Sequence, residues 1–165
     1  MKIEGKIFVY GDDINTDVIF PGKYTYEPMT PEQMGEHALE DLDPDFVKKV
    51  EEGDVIVAGK NFGCGSSREQ AAISIKAAGC RAIIARSFAR IFYRNCLNSG
   101  LFAITDDKIQ ADVNPGDKIE IDLENGKIAV GEKQYSFPPP SPEVFGILEA
   151  GGLIPYTRNK IASEK

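Results

Sequence analysis

The chain has 165 residues, of which 42% are hydrophobic, enough to build the core of one domain spanning residues 1–165. Acidic residues outnumber basic ones, 26 to 19, for a formal net charge of -7, and no lysine and arginine cluster could neutralise a phosphate backbone, which excludes nucleic acid as an expected partner. The start MKIEGKIFVY lacks the layout of a signal peptide and no apolar run approaches the roughly 20 residues that span a bilayer, so a cytoplasmic protein is expected.

Residues 3–10 alternate with β-formers and predict a strand, which leads into GDDINTD, a loop of turn-forming residues. Residues 20–30, FPGKYTYEPMT, hold two prolines, a glycine and two tyrosines, the composition of a surface loop. Pro31 suits the first position of a helix running to about Glu40, and a shorter helix follows Pro44 with Phe46, Val47 and Val50 inward. From Asp54 the chain reads as buried strand VIVA, the glycine-rich turn GKNFGCG, and a helix from about Ser67 to Ala78 stopped by Gly79. Ser66 with Glu69, and Ser67 with Gln70, both match a capping box. AIIA at 82–85 is a second buried strand, Ser87 is placed to cap a helix with Phe88, Ile91, Phe92 and Asn95 on one face, and LFAI at 101–104 is a third strand. Such a β-α-β-α-β run predicts a parallel core.

After Asn114 the pattern becomes antiparallel: KIEIDL, a turn at Asn125 and Gly126, IAV and then KQYSF predict a hairpin and a further strand. PPPSPEVFGILEAGG predicts a rigid connector and a short helix ended by Gly151, followed by a frayed charged tail. The whole points to a compact α/β barrel or sandwich.

The chemistry gathers at residues 59–70, GKNFGCGSSREQ. A helix start with free N–H groups, two hydroxyls and a guanidinium is suited to hold a small carboxylate. No Walker lysine followed by serine or threonine is present, and Gly63 and Gly65 lack the third glycine of a dinucleotide fingerprint. Two readings stay open for Ser66 and Ser67: helix caps, worth about 1 kcal/mol, or functional hydroxyls. Arg68 is unfavourable at a helix start, by about 0.3 to 1 kcal/mol, unless an anion sits there. The three cysteines, Cys64, Cys80 and Cys96, show neither zinc-site nor ferredoxin spacing and read as reduced thiols. His37, the one histidine, is read as a packing or surface residue, and Arg90 and Arg94 as solvated or at a subunit contact.

The strings DDINTDVIFPGKY, GKNFGCGSSREQAA and ARSFARIFYRN, in this order and separation, resemble the small subunits of 3-isopropylmalate dehydratase, the separate-chain equivalent of the final, swivelling domain of aconitase. The resemblance covers essentially the whole chain. It implies an α/β fold of the swivelling β/β/α aconitase C-terminal type, with mixed parallel and antiparallel strands and flanking helices. It also implies a hydro-lyase, active only with a large aconitase-like subunit that binds the [4Fe-4S] cluster, with none bound by this chain. By the same resemblance Ser66 is the base that removes a proton α to a carboxylate, and Arg68 grips a substrate carboxylate, with Gly65 and Ser67 beside it. Asp17 is implied as a supporting active-site carboxylate.

The substrate is implied to be a small hydroxy acid, its variable group reached by the loop after PGKY. Thr25, Tyr26 and Met29 there offer apolar or amphipathic surface and Glu27 opposes a third carboxylate, which favours an alkyl malate such as isopropylmalate. Dimethylmalate, another alkyl malate or homoaconitate remain alternatives within the class, and a non-catalytic carboxylate-binding module is the alternative outside it.

Overall fold

The computed structural model describes residues 1–164. The chain opens with strand β1 (Lys2–Val9), the short helix α1 (Thr16–Ile19), a 3-10 turn at Gly22–Tyr24, and helices α2 (Pro31–Gly35) and α3 (Phe46–Lys49). Next come β2 (Val55–Ala58), α4 (Glu69–Ala78), β3 (Ala82–Ala85), α5 (Arg90–Ser99), β4 (Phe102–Thr105) and α6 (Ile109–Asp112). Strands β5 (Lys118–Asp122), β6 (Lys127–Val130) and β7 (Lys133–Ser136) precede helices α7 (Pro142–Ala150) and α8 (Leu153–Ser163).

All seven strands lie in one sheet of order β4-β3-β2-β1-β5-β6-β7. The β4-β3-β2-β1 half is parallel, and from β1 onward each neighbour is antiparallel. Strands covered on both faces read as continuous apolar runs, and every residue of VIVA and AIIA is buried. Alternation still sorts them: Ile56, Ala58, Ile83 and Ala85 face the core under α4 and α5, while Val55, Val57, Ala82 and Ile84 face a second core shared with Ile119, Ile121 and Ile128. The antiparallel half therefore curls over the parallel half. Phe102 of β4 and Phe137, just past β7, come from opposite ends of the strand order and yet their rings lie 5.8 Å apart.

Helix α4 buries Ala71, Ala72 and Ile75, and α5 buries Phe92 and Cys96, one turn apart on a single stripe. Both end at a glycine with positive φ, Gly79 and Gly100, as left-handed C-caps do. Thr30 and Gln33 close a capping box around Pro31, but α2 stops at Gly35, so His37 falls in the turns that follow and not in a helix reaching Glu40. The tail after Gly151 is the helix α8 and not a frayed end; it packs on α7 and α5, with no buried residue of its own. Among the described residues no helix is long and apolar enough to cross a membrane.

Candidate active site

The loops that follow β1, β2 and β3 leave the carboxyl ends of three adjacent parallel strands, the usual place for a ligand in an open α/β sheet. Short parallel bridges, Asn15 with Cys64 and Phe62 with Phe88, continue the pairing beyond the strands and stitch these loops together. The Gly63 N–H donates to the Ile14 carbonyl at 2.7 Å and the Thr16 N–H to the Cys64 carbonyl at 2.9 Å. Gly63 and Gly65 both take positive φ, +83° and +93°, which turns the chain sharply twice within three residues. Ser66 and Ser67 are left exposed at the mouth of a cleft of about 250 Å³. Ser66, Ser67 and Arg68 line one side, and Arg90, Ile91 and Asn95 of α5 the other.

Helix α4 starts two residues later than the serine pattern predicts. Its N-cap is Arg68, with extended backbone (φ -131°, ψ 120°), and no side chain caps it. Neither capping box forms. The reason lies in contacts distant in sequence: the buried Thr16 hydroxyl donates to the Ser66 carbonyl at 2.8 Å, and Arg68 is drawn toward the segment around residue 20, which holds residues 64–68 out of the helix. Neither serine hydroxyl is engaged in a hydrogen bond among the described residues. Ser87 likewise caps nothing; its Oγ accepts from the Asn61 N–H at 2.8 Å, and α5 begins after Ala89 without a side-chain cap. Two ten-residue helices thus present uncapped N-termini to one cleft.

The Arg68 side chain is 10% exposed, against 66% for Asp17. Its Nη2 donates to Asp17 Oδ1, its Nη1 donates to Thr25 Oγ1 at 3.1 Å, and its Nε is buried with no partner among the described residues. Asp17 is positioned from below by Asn15, which caps α1 by accepting from the Asp17 and Val18 N–H groups at 2.9 and 3.1 Å. Gln70, on the first turn of α4, donates to the Thr25 carbonyl at 3.3 Å.

Asp17, Thr25, Gly65, Ser66, Ser67 and Arg68 are thus brought into one neighbourhood. Tyr26 and Met29 are not: Tyr26 is 97% exposed at the loop tip, and Met29 packs against the core beneath α4. Ile91, expected on the buried face of its helix, is 48% exposed at the cleft. Three residues were not singled out from the sequence as site residues: Thr16, Asn15 and Asn95. Asn15 carried a usable signal, an asparagine two places before an acidic residue at a helix start, whereas Thr16 acts through a partner far along the chain and Asn95 is brought to the cleft only by the packing of α5.

His37 sits apart, its ring 4.2 Å from that of Tyr24 and its Nδ1 3.0 Å from Glu40 Oε1.

The donor set among the described residues does not fit an iron–sulfur cluster. Cys80 and Cys96 are buried in the core, where burial pushes both thiols well above their ordinary pKa, away from the thiolate form a metal needs. Cys64 stands alone at the loop, and among the described residues no three His, Cys, Asp or Glu side chains gather as ligands.

Residues 12–108 match the profile of the Aconitase C-terminal domain family. Over 166 residues the chain is 44% identical to the 3-isopropylmalate dehydratase small subunit of Thermodesulfovibrio yellowstonii, covering 99% of this chain and 98% of that one. Identity to the protein of the same name from Sulfurisphaera tokodaii is 49% over 159 residues, covering 96% and 94%. In three dimensions the chain is similar to the crystal structure of 3-isopropylmalate dehydratase from Methanocaldococcus jannaschii, with a TM-score of 0.91 at 44% identity, covering 99% and 98% of the two chains. Aconitase X from Thermococcus kodakaraensis, at 18% identity and a TM-score of 0.54 over 80% of this chain and 92% of that one, shares the fold alone. The chain therefore belongs to the aconitase C-terminal domain family, among the small subunits of 3-isopropylmalate dehydratase.

Proposed function

We propose that this chain, acting as one swivelling domain, is the small subunit of a cytoplasmic hydro-lyase of leucine biosynthesis that interconverts 2-isopropylmalate and 3-isopropylmalate by dehydration and rehydration. Its partner is a large aconitase-like chain carrying the [4Fe-4S] cluster, for which the described residues of this chain offer no fitting ligands. When bound there, that cluster supplies a Lewis acid for the substrate hydroxyl.

The observation that carries the reading is the uncapped start of α4, where the unengaged Ser66 hydroxyl stands at the mouth of a cleft that Arg68 also lines. In the dehydration step Ser66, as alkoxide, takes the proton from the carbon α to a carboxylate, and that electron pair becomes the double bond as the hydroxyl leaves the neighbouring carbon. Rehydration at the other carbon, with the proton returned from Ser66, gives the isomer. Arg68 holds the carboxylate next to the acidic carbon, so the charge that builds up there faces a cation. Asp17 keeps the guanidinium in place.

An alcohol is a weak base at neutral pH, and each unit of pKa lowering takes about 1.4 kcal/mol of preferential alkoxide stabilisation. Three sources are available: N–H groups of the first turn of α4, about half a positive charge at a helix N-terminus; the guanidinium of Arg68; and loss of water as the large chain closes over the cleft. Serines occupied as caps could not serve this role, and the late start of α4 frees both.

The test is Ser66→Ala in the chain assembled with its large partner. Turnover of isopropylmalate should fall by a factor of about a thousand or more, with the complex still forming, as for loss of a reacting group. Near-normal turnover removes Ser66 from the role.

A further inference from the structure

We propose that Thr25 is a positioning residue for Arg68, and that through it the loop around residues 22–30 sets the geometry of the carboxylate grip and does not merely shape the pocket around the substrate's alkyl group. This inference rests on the carboxylate-binding role given to Arg68 above.

The observations form a clasp. The Thr25 hydroxyl accepts from Arg68 Nη1 at 3.1 Å, while the Thr25 carbonyl accepts from Gln70 Nε2 at 3.3 Å, so one loop residue is held at two points by the start of α4. Asp17 takes a hydrogen of Nη2 on the other side. The loop also passes close over the guanidinium: a Cβ built at Gly22 would lie 3.3 Å from Arg68 Nη1 and 3.8 Å from Asp17 Oδ1. An arginine on a flexible stem, 10% exposed and fastened at both terminal nitrogens, has its fork fixed before any ligand arrives. Each terminal nitrogen carries two hydrogens, so one on Nη1 and one on Nη2 stay available to an incoming carboxylate. Tyr26, next in sequence, stands 97% exposed at the loop tip, and in this stretch it is the Thr25 side chain that bonds to Arg68.

Two substitutions separate this role from direct contact with the alkyl group. Thr25→Val keeps the methyl and loses the hydroxyl; Thr25→Ser keeps the hydroxyl and loses the methyl. In the chain assembled with its large partner, Thr25→Val should raise KM for isopropylmalate roughly tenfold, the loss of a hydrogen bond to a charged group, with kcat within about twofold. Thr25→Ser should stay within about twofold of the unsubstituted enzyme in both. Combining Thr25→Val with Arg68→Ala should be no worse than Arg68→Ala alone, since both act through one group. A Thr25→Ser loss equal to or greater than that of Thr25→Val overturns the proposal in favour of an apolar contact, and unchanged KM in Thr25→Val overturns it outright. If Arg68→Ala itself leaves KM unchanged, the carboxylate-binding reading of Arg68 is the part that fails.

Discussion

The Thr16 hydroxyl reaches 2.8 Å to the backbone carbonyl of Ser66, joining the loop after β1 to the loop after β2 across fifty residues of sequence. Thr16 is 2% exposed, so this hydroxyl is a buried donor whose single bond holds Ser66 outside the helix that follows. Thr16→Val keeps the shape and removes the bond. Stability should fall by about 1 kcal/mol, the net worth of a single hydrogen bond, read as a shift in urea midpoint. Turnover in the assembled enzyme should fall at least tenfold, beyond what the stability change accounts for, because the base proposed at Ser66 loses its fixed place.

Gly63→Ala should be among the most damaging single changes in the chain. Gly63 has φ +83°, and a Cβ there would run into the ring of Phe92, which is buried under α5. Left-handed backbone costs about 1 to 2 kcal/mol for a non-glycine residue and overpacking typically adds about 1 to 3 more. A loss of about 3 kcal/mol in denaturant unfolding is expected, while Gly131→Ala, also at positive φ but with open space around it, should lose only the backbone part.

Glu40 gives the fold a dependence on acid. Burial raises its pKa, but hydrogen bonds from His37 at 3.0 Å and Tyr24 at 3.3 Å outweigh burial and hold it below the usual carboxylate range. A lowered folded-state pKa contributes stability above the ordinary value of about 4.3, and that contribution disappears as pH falls through the folded value. Glu40→Gln should therefore be less stable than the unsubstituted chain near neutral pH, the gap closing as pH falls below the ordinary carboxylate range and through the folded value. Urea midpoints across that range check it, and a gap that widens in acid contradicts the assignment.

Tyr26→Arg tests the loop as a selector. The ring stands 97% exposed at the loop tip, so replacing it disturbs no packing in the isolated chain. A cation there should favour a third carboxylate, and in the assembled enzyme the ratio of kcat/KM for homocitrate over isopropylmalate should rise by about tenfold or more. An unchanged ratio would mean that the tip does not reach the substrate.

Sequence reasoning read the parallel half well because strands buried on both faces are written as unbroken apolar runs, as VIVA and AIIA are. The antiparallel half was equally legible from the turn at Asn125 and Gly126, where Gly126 takes a positive φ that few other residues accept. Legibility failed where a local rule met a distant partner. Ser66 and Ser67 satisfy the spacing of a helix cap, yet Thr16 and Thr25 hold the segment 64–68 from elsewhere in the chain. Ile91 has helical spacing with Phe92 and Phe88, but its face opens on the cleft. Helix α8 rests on α7 and α5, contacts that no local pattern announces. For the site, the glycines and the serine-arginine pair were visible as types, whereas the pairing of Arg68 with Asp17 and Thr25 required the fold.

The turn between β6 and β7 lies at the opposite margin of the sheet from β4, with Gly131 surrounded by empty space. Strands β5, β6 and β7 contribute no residue to the candidate cleft yet cover one face of the parallel half. That hairpin tip is a natural handle: a fluorophore, affinity peptide or surface tether spliced there would hang from scaffold alone, leaving the cleft on the far side of the strand order unencumbered.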